Sequence, residues 1–193
     1  MTIDLNQDQK IKLKRLFESK NYSKFEAQIE RLGNFEDLPI FLKMGYAGSK
    51  TINSKSKKKD FLKASIIFEK IYSDDNKNLD ALYNLILSSL KAEVSIYVLK
   101  HLDNFYKLNK KNPKIVEGLA RIHFQLANMD LSVKYFSELV KLNPIYTIDG
   151  GRLSYLASMN YSSNIRQSDY FNECKILSNK FEEYSSFPTY KIE

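Results

Sequence analysis

Apolar residues recur along most of this chain at intervals of three and four, the period of an α-helix with one buried face. The clearest stretch runs from Pro113 to Pro144, two prolines 31 positions apart (144 − 113). Its first half carries Ile115, Val116, Leu119, Ala120, Ile122, Phe124 and Leu126, and its second half Leu131, Val133, Phe136, Leu139, Val140 and Leu142. Between them lies the polar turn Ala127-Asn128-Met129-Asp130, where Asp130 is placed to cap the second helix. The stretch therefore predicts a helical hairpin closed by a proline.

The same pattern extends in both directions. Ile11, Leu13, Leu16 and Phe17 predict a helix over Asp8–Ser19. Ser23-Lys24-Phe25-Glu26 has the form of a capping box for a helix to about Leu32, which Gly33 is placed to end. Leu38 to about Asn53 predicts a further helix, followed by the insertion Ser54-Lys55-Ser56-Lys57-Lys58-Lys59. With nothing to bury, that run is expected to be a solvated, mobile loop. Asp60 is placed to cap a helix over Phe61–Ser73, in which Ala64 and Phe68 stand four apart. Leu79–Leu90 and Val94–Leu108 form the next pair, with Lys91-Ala92-Glu93 as the turn. Phe105 precedes Pro113 by eight residues, as Phe136 precedes Pro144. Thr147–Ser158 is predicted helical although Gly150-Gly151 weakens its start. Met159 to Ile165 is read as a non-helical link, Asp169–Phe181 as the last helix, and residues 182–193 as a linker or cut end.

Leu119-Ala120 in the first helix, Phe136 and Leu139 in the second, and Pro144 after it stand at the offsets of one repeat of a tetratricopeptide (TPR) protein. The chain resembles that family. Ser132 and His101 occupy positions where the pattern prefers alanine, and Phe25 does so in a divergent first unit. The resemblance implies an all-α, right-handed solenoid of about four helical hairpins plus a terminal helix. The repeats are placed at about residues 8–37, 38–78, 79–112 and 113–146, with terminal or junction helices over 147–181.

Composition narrows the class. The 193 residues are 43% hydrophobic, with only 6 Gly and 4 Pro, which favours long helices over many short strands. No apolar run approaches the length of a membrane span, and the N-terminus lacks a signal-peptide core. A single cysteine, Cys174, excludes an internal disulfide framework and fits a reducing cytoplasm. The net charge of +7 fits either an acidic partner or nucleic acid, or simply a Lys- and Asn-rich composition.

Candidate chemistry is sparse. His101 and His123 lie on separate amphipathic helices with no carboxylate or thiol at metal spacing, so both read as core or boundary residues. Cys174, flanked by Phe171 and Leu177, reads as a buried small apolar residue. The pairs Asp74-Asp75 and Glu182-Glu183 sit in linkers rather than in a cleft. No catalytic residue, cofactor site or metal site is expected.

The segment Leu156-Ala157-Ser158-Met159-Asn160-Tyr161, with Ile165, Tyr170-Phe171 and Phe181 after it, carries a second resemblance. It is similar to the junction that follows the last repeat in bacterial SPINDLY and O-GlcNAc transferase-like proteins. There a catalytic domain follows, and nothing in this chain resembles one. The resemblance implies that the chain is the partner- or substrate-selecting arm of such an enzyme. In that family an asparagine clamps an extended peptide backbone, and Asn84 takes its place here, while Gly118 and Arg152 stand at the equivalent positions of later repeats. The partner-binding groove is therefore assigned to Asn84, Lys91, Lys114, Arg121, Gln125 and Arg152, with an acidic protein or peptide as partner and self-association possible. A free-standing TPR scaffold or adaptor is the alternative. An RNA-binding helical repeat using Lys55–Lys59 and Lys107–Lys114 is the less favoured third.

Overall fold

The computed structural model describes residues 3–108, 111–142 and 151–184. Every regular element among them is helical: α1 (Gln7–Glu18), α2 (Tyr22–Glu30), α3 (Ile40–Ile52), α4 (Lys58–Asp74), α5 (Leu79–Ala92), α6 (Ile96–Leu108), α7 (Pro113–Gln125), α8 (Met129–Leu142), α9 (Gly151–Tyr161) and α10 (Gln167–Tyr184), with one short 3-10 turn at Phe35–Asp37. The chain divides into two compact units, Met1–Leu102 and Asp103–Glu193, the division falling inside α6. The predicted start of the ninth helix at Thr147 and the end of the tail, 185–193, lie outside the described residues.

The repeat is written in the buried positions of the second helices. Phe68, Leu102 and Phe136 stand 34 residues apart (102 − 68, 136 − 102), and all three are almost completely buried. Four residues before each sits a smaller buried side chain, Ala64, Val98 and Ser132. The small residue lets the paired helices approach, and the larger one fills the space a turn later. Leu102 rather than Phe105 is thus the counterpart of Phe136, and Val98 rather than His101 takes the small position. The matching distances to Pro113 and Pro144 had suggested otherwise.

Ring contacts repeat in the same register. Tyr72 meets His101 edge-on with centroids 5.7 Å apart, and Tyr106 meets Tyr135 edge-on at 5.3 Å. Both members of the second pair lie 34 residues after those of the first (106 − 72, 135 − 101). Edge-to-face geometry places the positive ring edge on the negative face.

Unit 1 opens with a divergent repeat. Phe25 and Ile29 occupy the places of Ala64 and Phe68, 39 residues ahead (64 − 25, 68 − 29), and both are buried. A phenylalanine at the small position needs space from its neighbour, and Gly45 on α3 supplies it. A Cβ at Gly45 would lie 3.2 Å from Phe25 Cζ. Leu5, Leu13, Leu38 and Leu42 complete this core.

The Ser/Lys insertion, Ser54 to Lys59, lies within this longer spacing. It is not all loop: α4 starts at Lys58, and its 17 residues exceed the 14 of α8. Asp60 lies in the first turn of α4 instead of before it, where its carboxylate accepts from the Lys57 backbone N–H at 2.9 Å. Asp130 is likewise inside α8 and accepts from Ser162 Oγ. The expected Ser23–Glu26 capping box is absent, because α2 begins at Tyr22 and Glu26 is engaged elsewhere. Met159 to Tyr161 continue α9, and residues 182–184 continue α10, so neither segment is the link or linker the sequence suggests. Tyr161 donates no break of its own, and the chain leaves the helix only at Ser162.

Three first helices end in the same way. Lys20, Glu93 and Ala127 all take the left-handed backbone conformation, with φ of 58°, 60° and 58°. After α7, Ala127 N–H bonds to Phe124 O at 3.0 Å and Asn128 N–H to His123 O at 2.8 Å. The same pair of bonds follows α1 (Lys20 to Phe17, Asn21 to Leu16) and α5 (Glu93 to Leu90, Val94 to Ser89). This is the Schellman closure, a place usually taken by glycine, and a Cβ there costs roughly 1 kcal/mol. Ala127→Gly is therefore expected to stabilise unit 2 by up to about 1 kcal/mol, read as a higher urea midpoint with an unchanged slope.

Candidate functional site

The six residues assigned to a groove are divided between the two units. In unit 1, Asn84 Nδ2 donates to Asp80 O of its own helix at 2.8 Å. One N–H of the amide is thus engaged within α5. Lys91 donates to Thr51 O at 2.7 Å and lies 5.3 Å from the centroid of Phe61. It therefore ties the end of α5 to the last turn of α3, where a cation complements the helix C-terminus.

In unit 2, Arg121 Nε donates to Glu117 Oε1 at 2.8 Å, a pair one turn apart on α7. Lys114 and Gln125 are exposed at the two ends of the same helix. Arg152, on α9, is 4% exposed and holds Glu173 of α10 through Nη2 at 2.6 Å and Nε at 3.1 Å. Both N–H groups converge on one carboxylate oxygen, Glu173 Oε2, a charge-assisted pair through which Arg152 ties α10 to α9.

Sequence reasoning missed the most polar cluster of unit 1. Lys50 Nζ lies 3.0 Å from Glu26 Oε2, Ser49 Oγ donates to Glu26 Oε1 at 2.8 Å, and Tyr46 Oη donates to Glu30 at 2.6 Å. Lys50 also sits 4.4 Å from the centroid of the Tyr46 ring. Burial by itself lowers the pKa of the Lys50 ammonium, but the facing Glu26 carboxylate outweighs it and holds the pKa above the ordinary value. Burial, then the bond to Glu30, raises the Tyr46 phenol. The signal was available: Glu26 stands between the buried Phe25 and Ile29 of α2, and Lys50 lies on the buried face of α3 with Leu42 and Ala47.

The histidines differ. His101 Nε2 lies 3.2 Å from Glu69 Oε1. His123 is buried, stacked on Tyr135 with centroids 5.5 Å apart, and its Nδ1 has no hydrogen-bond partner. Burial lowers its pKa, partly opposed by Asp103. Nearby, Tyr106 Oη donates to Glu138 at 2.6 Å, and burial together with that bond pushes the phenol up to about 12. A histidine kept neutral in the folded state contributes stability above its unfolded pKa of about 6.5, and loses it as pH falls below that value. His123→Phe, which keeps the ring stack, is expected to flatten the decline of wild-type stability between about pH 7 and pH 5.5. Paired urea titrations across that range measure it.

Cys174 is half-buried rather than fully buried. Among the described residues no three His, Cys, Asp or Glu side chains gather as a metal site, and no described helix is long and apolar enough to cross a membrane.

No protein-family model matches the chain, and no curated protein sequence does. Solved structures do. A double mutant of MamA from RS-1 superposes with a TM-score of 0.72 at 10% identity, covering 93% of this chain and 99% of that one. MamA from AMB-1 gives 0.68 at 13% identity over 92% of each chain. MamA from MSR-1 gives 0.68 at 12% identity over 90% of this chain and 96% of that one. At such identities the likeness is one of fold, and the fold is the all-α, TPR-like helical solenoid.

Proposed function

We propose that this chain is a non-catalytic scaffold that binds a protein partner on the first helices of its hairpins. One observation carries the reading: the side chains that repeat at 34-residue intervals are buried where each second helix packs on the first helices beside it, and the opposite, polar stripes of the first helices are left to face a partner. In unit 1 that surface is offered by α1, α3 and α5, and in unit 2 by α7, with Lys114, Arg121 and Gln125. The likeness to the MamA structures supports a scaffold. No comparison favours the reading as the selecting arm of an O-GlcNAc transferase-like enzyme. Met159 to Tyr161, on which that junction resemblance leans, form the last turn of α9. Arg152 and Asn84, engaged with Glu173 and Asp80, act in this reading as structural residues.

Affinity capture with the folded protein tests it. The double variant Lys114→Glu/Arg121→Glu is expected to lose the captured protein while keeping its helical spectrum. Recovery of nucleic acid instead, with a steep loss on added salt, would favour the RNA-binding alternative.

A further inference from the structure

The α1–α3 face of unit 1 holds a cavity of about 410 Å³. The buried side chains Leu13, Phe25 and Leu42 line it together with Phe17. Phe41 stands in its wall with 58% of its surface exposed. An aromatic ring left open to water beside an apolar hollow is a costly arrangement unless something covers it.

The rim is basic. Lys10 and Lys14, one turn apart on α1, both line the opening, with Glu18 as the single carboxylate among the lining residues. Glu18 lies 3.8 Å from Lys14, and both of those side chains are largely in solvent, so the pair neutralises little of the local field. Cations around an apolar floor select an occupant that is apolar at its centre and acidic at its flanks.

We propose that this cavity anchors one bulky apolar side chain, aromatic or branched, from an acidic segment of a protein partner. The proposal rests on the scaffold reading above and names the chemistry of the partner at one place on it. The volume falls in the range of pockets that enclose small ligands, enough for one such side chain with its adjoining backbone. A single buried anchor inside a charged rim is the usual distribution of binding energy at an interface.

The test uses the full chain and two fluorescein-labelled peptides, identical runs of Asp and Glu around a central Phe or a central Ala, followed by fluorescence anisotropy. The Phe peptide is expected to bind at least about tenfold more tightly than the Ala peptide. Phe41→Ala should remove most of that difference. Lys10→Glu/Lys14→Glu should weaken both peptides and flatten the dependence of binding on salt. All three positions are exposed, so the variants should keep the wild-type helical spectrum. Equal binding of the two peptides, or binding indifferent to Phe41 and to the lysines, overturns the proposal. If the captured partner is then still lost in the Lys114/Arg121 variant, the cavity alone is excluded and the scaffold reading stands. If that variant also keeps the partner, both fall.

Discussion

Phe136→Ala is expected to lower the stability of unit 2 by about 3–5 kcal/mol. The ring is 1% exposed and packs 6.0 Å, centroid to centroid, from Tyr155 of α9. It is the wedge of its repeat, so removing it opens a void between α8 and its neighbours that rigid helices cannot close. Ser132 makes collapse harder. Its hydroxyl lies 2.9 Å from Ala120 O and 2.8 Å from Ser158 Oγ, which pins α7, α8 and α9 together beside the void. Against a total stability of roughly 5–15 kcal/mol for a domain, such a loss is a large share. Urea titration followed by far-ultraviolet circular dichroism measures it. Phe68→Ala tests the same position of the repeat in unit 1 and should cost a similar amount. A loss under about 1 kcal/mol, typical of an ordinary substitution, would mean that the repeat is not built on this wedge.

Glu26→Ala has the second largest expected effect, about 3–5 kcal/mol in unit 1. The Lys50 and Glu26 side chains are only 9% and 18% exposed. Deleting the carboxylate leaves a buried ammonium with the Tyr46 ring face in place of its counter-ion, and removes one acceptor of Ser49 Oγ. The net worth of the pair is much smaller than the cost of breaking it. Glu26→Leu/Lys50→Met, which removes both charges and keeps the volume, should therefore recover most of the loss. The pH dependence has a definite sign. The folded pKa of Lys50 is raised, so its contribution is complete below the unfolded lysine value of about 10.4 and fades as pH rises through the higher folded value. Wild type should lose stability at strongly alkaline pH, and the double variant should lose less.

How much of this was legible in the sequence depends on the kind of signal. Helices were, because a 3.6-residue apolar period needs no knowledge of neighbours. Among the described residues each helix lies where that pattern placed it, within a turn at every end that is described; the expected start of α9 is not among them. Helix ends were less legible. Ser23, Asp60 and Asp130 are good capping residues by type, but each sits inside its helix, since the tertiary partner of Glu26 and the backbone around Lys57 and Asn128 decide where the helix starts. The Schellman closures at Lys20, Glu93 and Ala127 were invisible without glycine to mark them. The register of the repeat was misread at Phe105 because prolines mark loops, whose lengths drift. Buried side chains such as Leu102 carry the period.

The candidate surface was the least legible part. Arg121 was chosen from the polar stripe of its helix and Arg152 as the counterpart of Asn84 in a later repeat, and neither argument shows which charge meets which. Arg152 turned out to be locked to Glu173 across helices, 21 residues away (173 − 152). The cavity beside Phe41 is lined from α1, α2 and α3 together, a juxtaposition that only the fold makes.

Hydrogen–deuterium exchange on the protein with and without its captured partner tests the central claim most directly. The scaffold reading predicts added protection in the first helices, α1, α3 and α5 of unit 1 and α7 of unit 2, with α4 and α8 unchanged. Protection confined to α4 and α8, with the first helices exchanging as before, would contradict it.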